Sequence, residues 1–361
     1  MAEPDTPNSI AAAPPAAEPP APAVVAGVDG GNSKTELVLA STDGELLGRA
    51  RGPGTRTPIR GADPLVGQLA GLLADGWRAA GRPPAPVAVA VLDLANIDLP
   101  EEEAELRAGL DRHRLAERVE IGNDTLAVLH AGATDGWGVA VVCGAGINAI
   151  GLAPDGRRER FLSFGALTGD WGGGGAIAVA GLAAGARDED GRGEPTALRR
   201  LLPAHFGLAE PSEVALAVHR GTLARAALVG AAPVVFAAAR DGDAAARDLV
   251  ARAGRESAIM AATLVRRLGA EPARTPIVLG GSILQSRDEI LFAAFDAELS
   301  ARAPGAGYAV LDVPPVAGAL DRALRLAGAT DAARARARAA CRALGTADAL
   351  GTADARGMSR A

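Results

Sequence analysis

The 361-residue chain reads as an α/β protein of two lobes with a cleft between them. Three observations predict this. The length exceeds one small compact domain and suits two units of about 100–200 residues. Apolar strand-like runs alternate with helical periodicity through the body. The same opening, strand, glycine turn, strand, turn, strand, occurs twice, from Val24 and again from Trp137.

The elements follow in order. Val24–Val28 is a strand that enters a glycine-rich turn at Asp29–Ser33; Thr35–Ala40 returns, Ser41–Gly44 turns, and Glu45–Arg51 is the third strand. Pro64–Ala80 has helical periodicity and stops at Gly81. Pro86–Leu92 is an uninterrupted apolar run and reads as a buried strand. Glu101–Leu115 opens with acids, which favour the positive end of a helix. Val119–Ile121 is short and β-like, and a helix runs from Asn123 and Asp124 to Ala131. The pattern then repeats: strand Trp137–Cys143, turn Gly144–Gly146, strand Asn148–Ala153, turn Pro154–Gly156, strand Glu159–Ser163. Helices fill Ala176–Leu268, with a break near Gly191–Pro195. Pro276–Leu279 is a buried strand feeding Gly280-Gly281-Ser282, and Pro315–Ala327 is the expected last helix of the body.

Composition narrows the class. The chain is 48% hydrophobic and 22% charged, which is globular, and its net charge of −6 gives no basic field for nucleic acid or anionic lipid. Lys34 is its single lysine beside many arginines, a bias that looks like high-GC coding. Cys143 and Cys341 are the only cysteines, too few for a disulfide framework or a cysteine-rich metal site, and a reducing cytoplasm is the expected location. The longest apolar stretch inside the body, Ala226–Ala239, is shorter than the about 20 residues of a membrane span, and the N-terminus lacks the basic start of a secretory signal. Residues 1–22, rich in Ala and Pro, read as a disordered arm. Residues 23–122 form the expected first lobe and 123–328 the second. Residues 329–361 read as an Ala/Arg-rich helix fraying into a tail that repeats LGTADA.

Five glycine or carboxylate motifs carry chemistry. In the turn Asp29–Thr35, Gly30 and Gly31 let the backbone approach an anion. Amides across Gly30, Gly31, Asn32, Ser33, Lys34 and Thr35, with the Ser33 and Thr35 hydroxyls, can cradle phosphate oxygens. Lys34 adds a point charge, and Asp29 suits Mg²⁺ held mostly through water. The bland alternative is a hairpin turn, and the P-loop spacing is absent. Gly144-Ala145-Gly146 repeats that logic in the second lobe, and Gly280-Gly281-Ser282 offers a flat backbone for a nucleoside. Gly169–Gly175 (GDWGGGG) reads as a substrate-facing loop, because successive glycines are costly inside a helix, with Asp170 able to accept from sugar hydroxyls. Asn123-Asp124-Thr125 serves as a helix cap, as a carboxylate base, or both. Asp98 is a ligand or a plain cap. His113, His130, His205 and His219 lack metal spacing, and Cys143 in its apolar strand reads as packing.

The order of these motifs, VDGGNSKTELVL, GNDTLAVLHAG, VVCGAGINAIG, TGDWGGGG and Gly280–Ser282, resembles the actin-like ATPase superfamily of sugar kinases, Hsp70 and actin. Within it, over about Ala23–Ala327, the chain resembles the BadF/BadG/BcrA/BcrD ATPase family on its N-acetylglucosamine kinase side. The resemblance implies two ribonuclease-H-like lobes with an interlobe cleft, and ATP with Mg²⁺ as cofactors. It implies Asp124 as catalytic base, Gly30–Thr35 on the β- and γ-phosphates with Asp29 near Mg²⁺, and Gly144, Ala145 and Gly146 as the second phosphate loop. Gly280, Gly281 and Ser282 would meet adenosine, and Gly165, Asp170, Asp98 and Asn148 would line the sugar pocket. A homodimer is implied too. The chain departs from the pattern at Ala145 and Ile147, where hydroxyl residues are usual, at Gly54–Pro58, where an Asn is expected, and at Asn96, where glycine is common. The expected activity is phosphorylation of an amino sugar. The other readings are a sugar or nucleotide sensor without catalysis and an ATPase that activates a dehydratase, the latter poorly served by two cysteines.

Overall fold

The computed structural model describes residues 22–55 and 63–358, those after 345 as helix backbone. The arm expected over 1–22, apart from Pro22, and the segment 56–62 with Arg56, Thr57 and Pro58, lie outside the described residues.

The elements are β1 (Val24–Gly30), β2 (Lys34–Ser41), β3 (Leu46–Pro53), α1 (Asp63–Ala79), β4 (Val87–Leu94), α2 (Pro100–His113), β5 (Ala116–Gly122) and α3 (Asp124–Gly132). There follow β6 (Gly138–Cys143), β7 (Ile147–Leu152), β8 (Arg158–Arg160), α4 (Gly173–Glu189), α5 (Leu198–His205), α6 (Pro211–His219), α7 (Ala232–Arg240) and α8 (Ala244–Leu268). The chain closes with β9 (Ile277–Gly280), α9 (Ser282–Gln285), α10 (Glu289–Arg302), β10 (Ala309–Val310), α11 (Val316–Leu326) and α12 (Asp331–Met358).

Two five-stranded sheets have one topology. The first runs β3-β2-β1-β4-β5 and the second, read from its other edge, β8-β7-β6-β9-β10. In each, an antiparallel meander of three strands is extended by two parallel strands. The duplication legible in the sequence is therefore a duplication of sheet order.

Strands β1 and β4 read as unbroken apolar runs because both faces are covered. Ala26, Val28, Leu92 and Leu94 pack with α1 and α2 residues such as Leu69, Trp77 and Leu106. Val25, Val89 and Val91 face the opposite way, onto α3 and α11. Ala140, Ile150 and Val278 of the second sheet pack into that same cluster, so α3 and α11 form a layer shared by the two sheets. The outer face of the second sheet is covered by α4, α7, α8 and α10. Gly27 makes the middle layer possible: a Cβ there would stand 2.4 Å from the Leu320 amide nitrogen of α11.

The helix expected to fray after residue 328 is instead docked. Ala333, Ala337 and Cys341, spaced on one face of α12, are buried, the last two in the middle cluster. Alanines at these positions let the helix lie close, which is why an Ala-rich composition here signals packing. Among the described residues no helix is long and apolar enough to cross a membrane.

Candidate active site

The site is assembled where strand ends and one helix start meet between the sheets. β1 brings Asp29, and β4 brings Asp93 in register beside it. Strand alternation puts both on the face that carries Val25 and Val91, toward the middle layer. α3 brings Asp124 in its first turn, behind the cap residue Asn123. Asn123 caps as expected, its Oδ1 accepting from the Thr125 amide at 3.1 Å and the Thr125 hydroxyl at 2.7 Å.

These carboxylates repel one another in a poorly solvated place. Burial pushes the Asp124 carboxyl up to about 7, and the charges of Asp98 and Asp93 add to it. The amides of Thr125 and of Asp124 itself pull weakly the other way. Asp29 is raised well above the usual carboxylate range, first by burial and then by Asp124, Asp93 and Glu36, with Lys34 opposing. Asp93 is fully buried; one oxygen is bound by Arg322 of α11 and the other, Oδ2, has no hydrogen-bond partner. Burial raises its carboxyl, and Arg322 opposes the rise.

A side-chain relay crosses between the lobes through the α3 cap. Asn123 Nδ2 donates to Asp98 Oδ1 at 2.9 Å. Asn148 Nδ2, on β7, donates to Asn123 Oδ1 at 3.4 Å, and Asn148 Oδ1 accepts from Ser163 Oγ at 2.6 Å. The structure thus brings Asp98 and Asn148 to Asn123, the cap residue that precedes Asp124. Asn123 and Ser163 join them without having been assigned there; Ser163, with φ of 55°, carries no local sequence signal. Asp98 also caps nothing itself: Glu102 accepts from the Asp98 and Leu99 amides and caps α2.

The three glycine turns are placed differently. In the first, the Gly31 amide donates to Lys34 O at 2.9 Å, closing the turn. Thr35 departs from expectation. It is buried, its hydroxyl donates to Pro53 O at 2.7 Å, and the phosphate-facing role foreseen for that hydroxyl is ruled out by strand alternation into the core. Lys34 is exposed and pairs with Glu36 at 3.4 Å. Asn96 donates to Asn32 Oδ1 at 3.1 Å, tying the turn to the loop after β4. Its φ of 66° is left-handed, which explains why glycine suits this position and why asparagine is tolerated.

The second and third turns touch. A Cβ on Gly281 would stand 2.5 Å from the Cys143 carbonyl carbon, and one on Gly144 would stand 3.8 Å from the Gly281 Cα. The four-glycine run is corrected: only Gly169–Trp171 is loop, whereas Gly173–Gly175 open α4 behind the cap Gly172. Their amides explain the composition. Gly174 N donates to Gly144 O at 2.7 Å and Gly175 N to Ala145 O at 3.0 Å, and a Cβ on Gly173 would collide with the Gly146 backbone at 2.4 Å. Asp170 lies in the loop, held by the Thr168 hydroxyl and by its own amide on Gly165 O at 3.0 Å. A cavity of about 500 Å³ opens here, with Gly146, Ser163, Gly165 and Asp170 in its wall. A second, of about 400 Å³, lies between the lobes against Asp98 and Asn123.

No group of three or more His, Cys, Asp or Glu side chains among the described residues could by itself enclose a metal ion. Mg²⁺ is ordinarily held by one or two carboxylates, its shell completed by water and phosphate. The mutual repulsion around Asp29 and the orphaned Asp93 Oδ2 fit a cation there. Cys143 is buried and its thiol is pushed up to about 11 by burial, an inert packing residue.

Two sheets of one topology, a shared helical layer and glycine turns at the strand ends define the actin-like ATPase class, to which sugar kinases belong. Comparison with known proteins agrees. The family model described as "BadF/BadG/BcrA/BcrD ATPase family" matches residues 26–321, and the chain belongs to that family. A curated N-acetylmuramic acid/N-acetylglucosamine kinase from Clostridium acetobutylicum is 22% identical over 263 residues, 73% of this chain and 86% of its own length. The crystal structure of a provisionally named N-acetylglucosamine kinase from Chromobacterium violaceum superposes with a TM-score of 0.67 at 23% identity, covering 85% of this chain and all of that one. A ROK family glucokinase from Streptomyces griseus, solved with glucose and AMPPNP, gives 0.54 at 17% identity over 84% of this chain and 99% of its own.

Proposed function

We propose that the chain is an ATP-dependent carbohydrate kinase that passes the γ-phosphate of ATP to a hydroxyl of an amino sugar, N-acetylglucosamine or a relative. The observation that carries this is Asp124. It is a carboxylate at a helix start, held near neutrality, beside a relay of hydroxyl- and amide-bearing side chains from both lobes. A general base works best with its pKa near the operating pH. In this reading Asp124 takes the acceptor's proton, while Asp98, Asn148, Gly165 and Asp170 orient the sugar and exclude water. Backbone amides of Gly30–Lys34 and Gly144–Gly146 hold the phosphates, and Gly280–Ser282 meets the adenosine. Asp29 would hold Mg²⁺, which when bound neutralises phosphate charge. The relatives named as N-acetylglucosamine kinases support the amino-sugar acceptor. Both thiols are buried, which disfavours an iron–sulfur activator.

Release of ADP from ATP·Mg²⁺, measured against GlcNAc, glucosamine, ManNAc, glucose, muramic-type sugars and no sugar, tests the reading. One amino sugar should raise the rate well above the sugar-free value. Nucleotide binding with no response to any sugar would overturn the kinase and favour a sensor.

The Asp124 environment also sets a pH limb. The base must be ionised, so kcat/KM for the acceptor should rise with pH and level off above about 7. At pH 6 it should be about a tenth of the plateau. A pH–rate profile flat from 5.5 to 8 would remove Asp124 from the rate law.

A further inference from the structure

Helix α12 carries a second stripe besides its buried one. Asp331, Arg334, Ala335 and Arg338, three, four and seven residues on from the first, line one cavity of about 510 Å³. Asp321 and Arg325 of α11, His130 of α3 and the loop residues Thr134 and Asp135 complete its wall. Apart from Ala335, every lining side chain is polar or charged. None of these residues belongs to the catalytic cluster, yet the two share elements. α3 carries Asp124 in its first turn and His130 about 9 Å further along, and α11 carries Arg322 on Asp93 and Arg325 here.

The charges of this wall do not balance. Asp321, 13% exposed, is shared by two guanidiniums, accepting from Arg325 Nε at 2.8 Å and from Arg334 Nε at 2.8 Å. Arg334 also reaches Asp331 at 2.6 Å, but that side chain is 96% exposed, where an ion pair is worth little. Arg338 is half-buried and makes no hydrogen bond or ion pair with any described residue. Burial and Arg342 disfavour its charge, and Asp321 and Asp312 favour it only from a distance. Asp135 is exposed. Setting aside the two exposed carboxylates, three guanidiniums meet one, an excess of about two positive charges. His130 does not change this count: burial, with Arg322 and Arg325, pushes its ring down to about 3, so the imidazole is neutral. Its Nδ1 is buried without a hydrogen-bond partner, a second unsatisfied group in the same wall.

We propose that this cavity binds a hydroxyl-rich phosphomonoester, a sugar phosphate, with Arg338 and Arg334 on the phosphate. The charge selects the phosphate: such a group carries about 1.5–2 negative charges near pH 7, which matches the excess, whereas a carboxylate would leave about half of it unmet. The volume selects an ester over the bare ion, since it lies within the range, about 300–1,000 Å³, that encloses a whole organic ligand. The polar wall selects the sugar, because Thr134, Asp135 and Asp331 can pair with hydroxyls and almost nothing apolar is offered. The site stands independently of the kinase reading.

Isothermal titration of N-acetylglucosamine 6-phosphate, glucose 6-phosphate, glucose and inorganic phosphate, all at one ionic strength, tests it on wild type and Arg338→Gln. At least one ester should bind wild type one-to-one and at least about tenfold tighter than glucose or phosphate. Arg338→Gln should weaken that ester about 10- to 100-fold, the loss of a charge-assisted contact. Arg338→Lys, which keeps the charge and loses the planar fork, should fall between the two. Without ligand, Arg338→Gln should melt no lower than wild type, since it breaks no pair. Equal binding of the ester to wild type and Arg338→Gln would seat it elsewhere and overturn the site, as would no binding of either ester at millimolar concentration. Inorganic phosphate binding as tightly as the esters, and lost in Arg338→Gln, would overturn the sugar ester in favour of a bare anion.

Discussion

Replacing Asp124 with Asn should lower acceptor-dependent turnover by about 10²–10⁴-fold while leaving ATP binding close to wild type. The amide keeps the size of the side chain and its place in the first turn of α3, but it cannot take a proton. The surviving pH limb should vanish with it. The same change carries an opposite effect on stability, and its sign follows from the raised carboxyl. A carboxyl pushed up to about 7 means the fold disfavours its ionised form. Its contribution is fully present below the ordinary carboxylate range and is lost as pH rises through about 7. At pH 8 the Asn variant should therefore melt higher than wild type, and at pH 4 the two should converge. Turnover of the variant within threefold of wild type, at saturating acceptor, would show that another group takes the proton.

Arg322→Leu should destabilise the protein by about 3–5 kcal/mol, read as a lower denaturant midpoint at unchanged slope. Arg322 sits on α11 and binds Asp93 of β4, and both are buried. Removing the guanidinium strands a carboxylate whose other oxygen is already unpartnered. The pair is a cross-link between the first sheet and the shared layer, formed by residues 229 apart in sequence. The double variant Asp93→Leu, Arg322→Leu should recover most of the loss, since an apolar pair fills the same space without a stranded charge. A single variant within 1 kcal/mol of wild type would mean that the ion pair is not formed in solution.

Much of this architecture could be read from residues in order. Glycine turns after apolar strands at Asp29, Cys143 and Leu279 define the two lobes, because only strand ends need such turns at that spacing. Asp124 was readable through its neighbour: Asn before Asp-Thr at a helix start is a cap by composition, and the cap is observed. What escaped depends on contacts distant in sequence. Thr35 looked like part of a phosphate cradle, but β2 alternation turns its hydroxyl to Pro53. Four glycines looked like a loop, yet three begin a helix, because the partner demanding a missing Cβ is Gly146, far upstream. Ser163, Asp93 and Arg322 have no motif at all; only the fold brings them to the relay and the ion pair. The α12 face did leave a signal, since Ala333, Ala337 and Cys341 recur every four residues, but alanine is so frequent in this chain that the stripe is hidden.

The middle layer has a consequence for how the protein is made. The inner face of β1 and β4, with Val25, Val89 and Val91, is covered in part by α3 and mainly by α11, which begins about 220 residues after β4 ends. At about 5–20 residues per second, the ribosome needs roughly 10–45 s to deliver that cover. Through that interval the nascent first sheet holds a partly open apolar face, with a glycine furrow at Gly27 awaiting Leu320. Completion of the first lobe is thus deferred until α11 has been made, and holdase chaperones have a defined window in which to act.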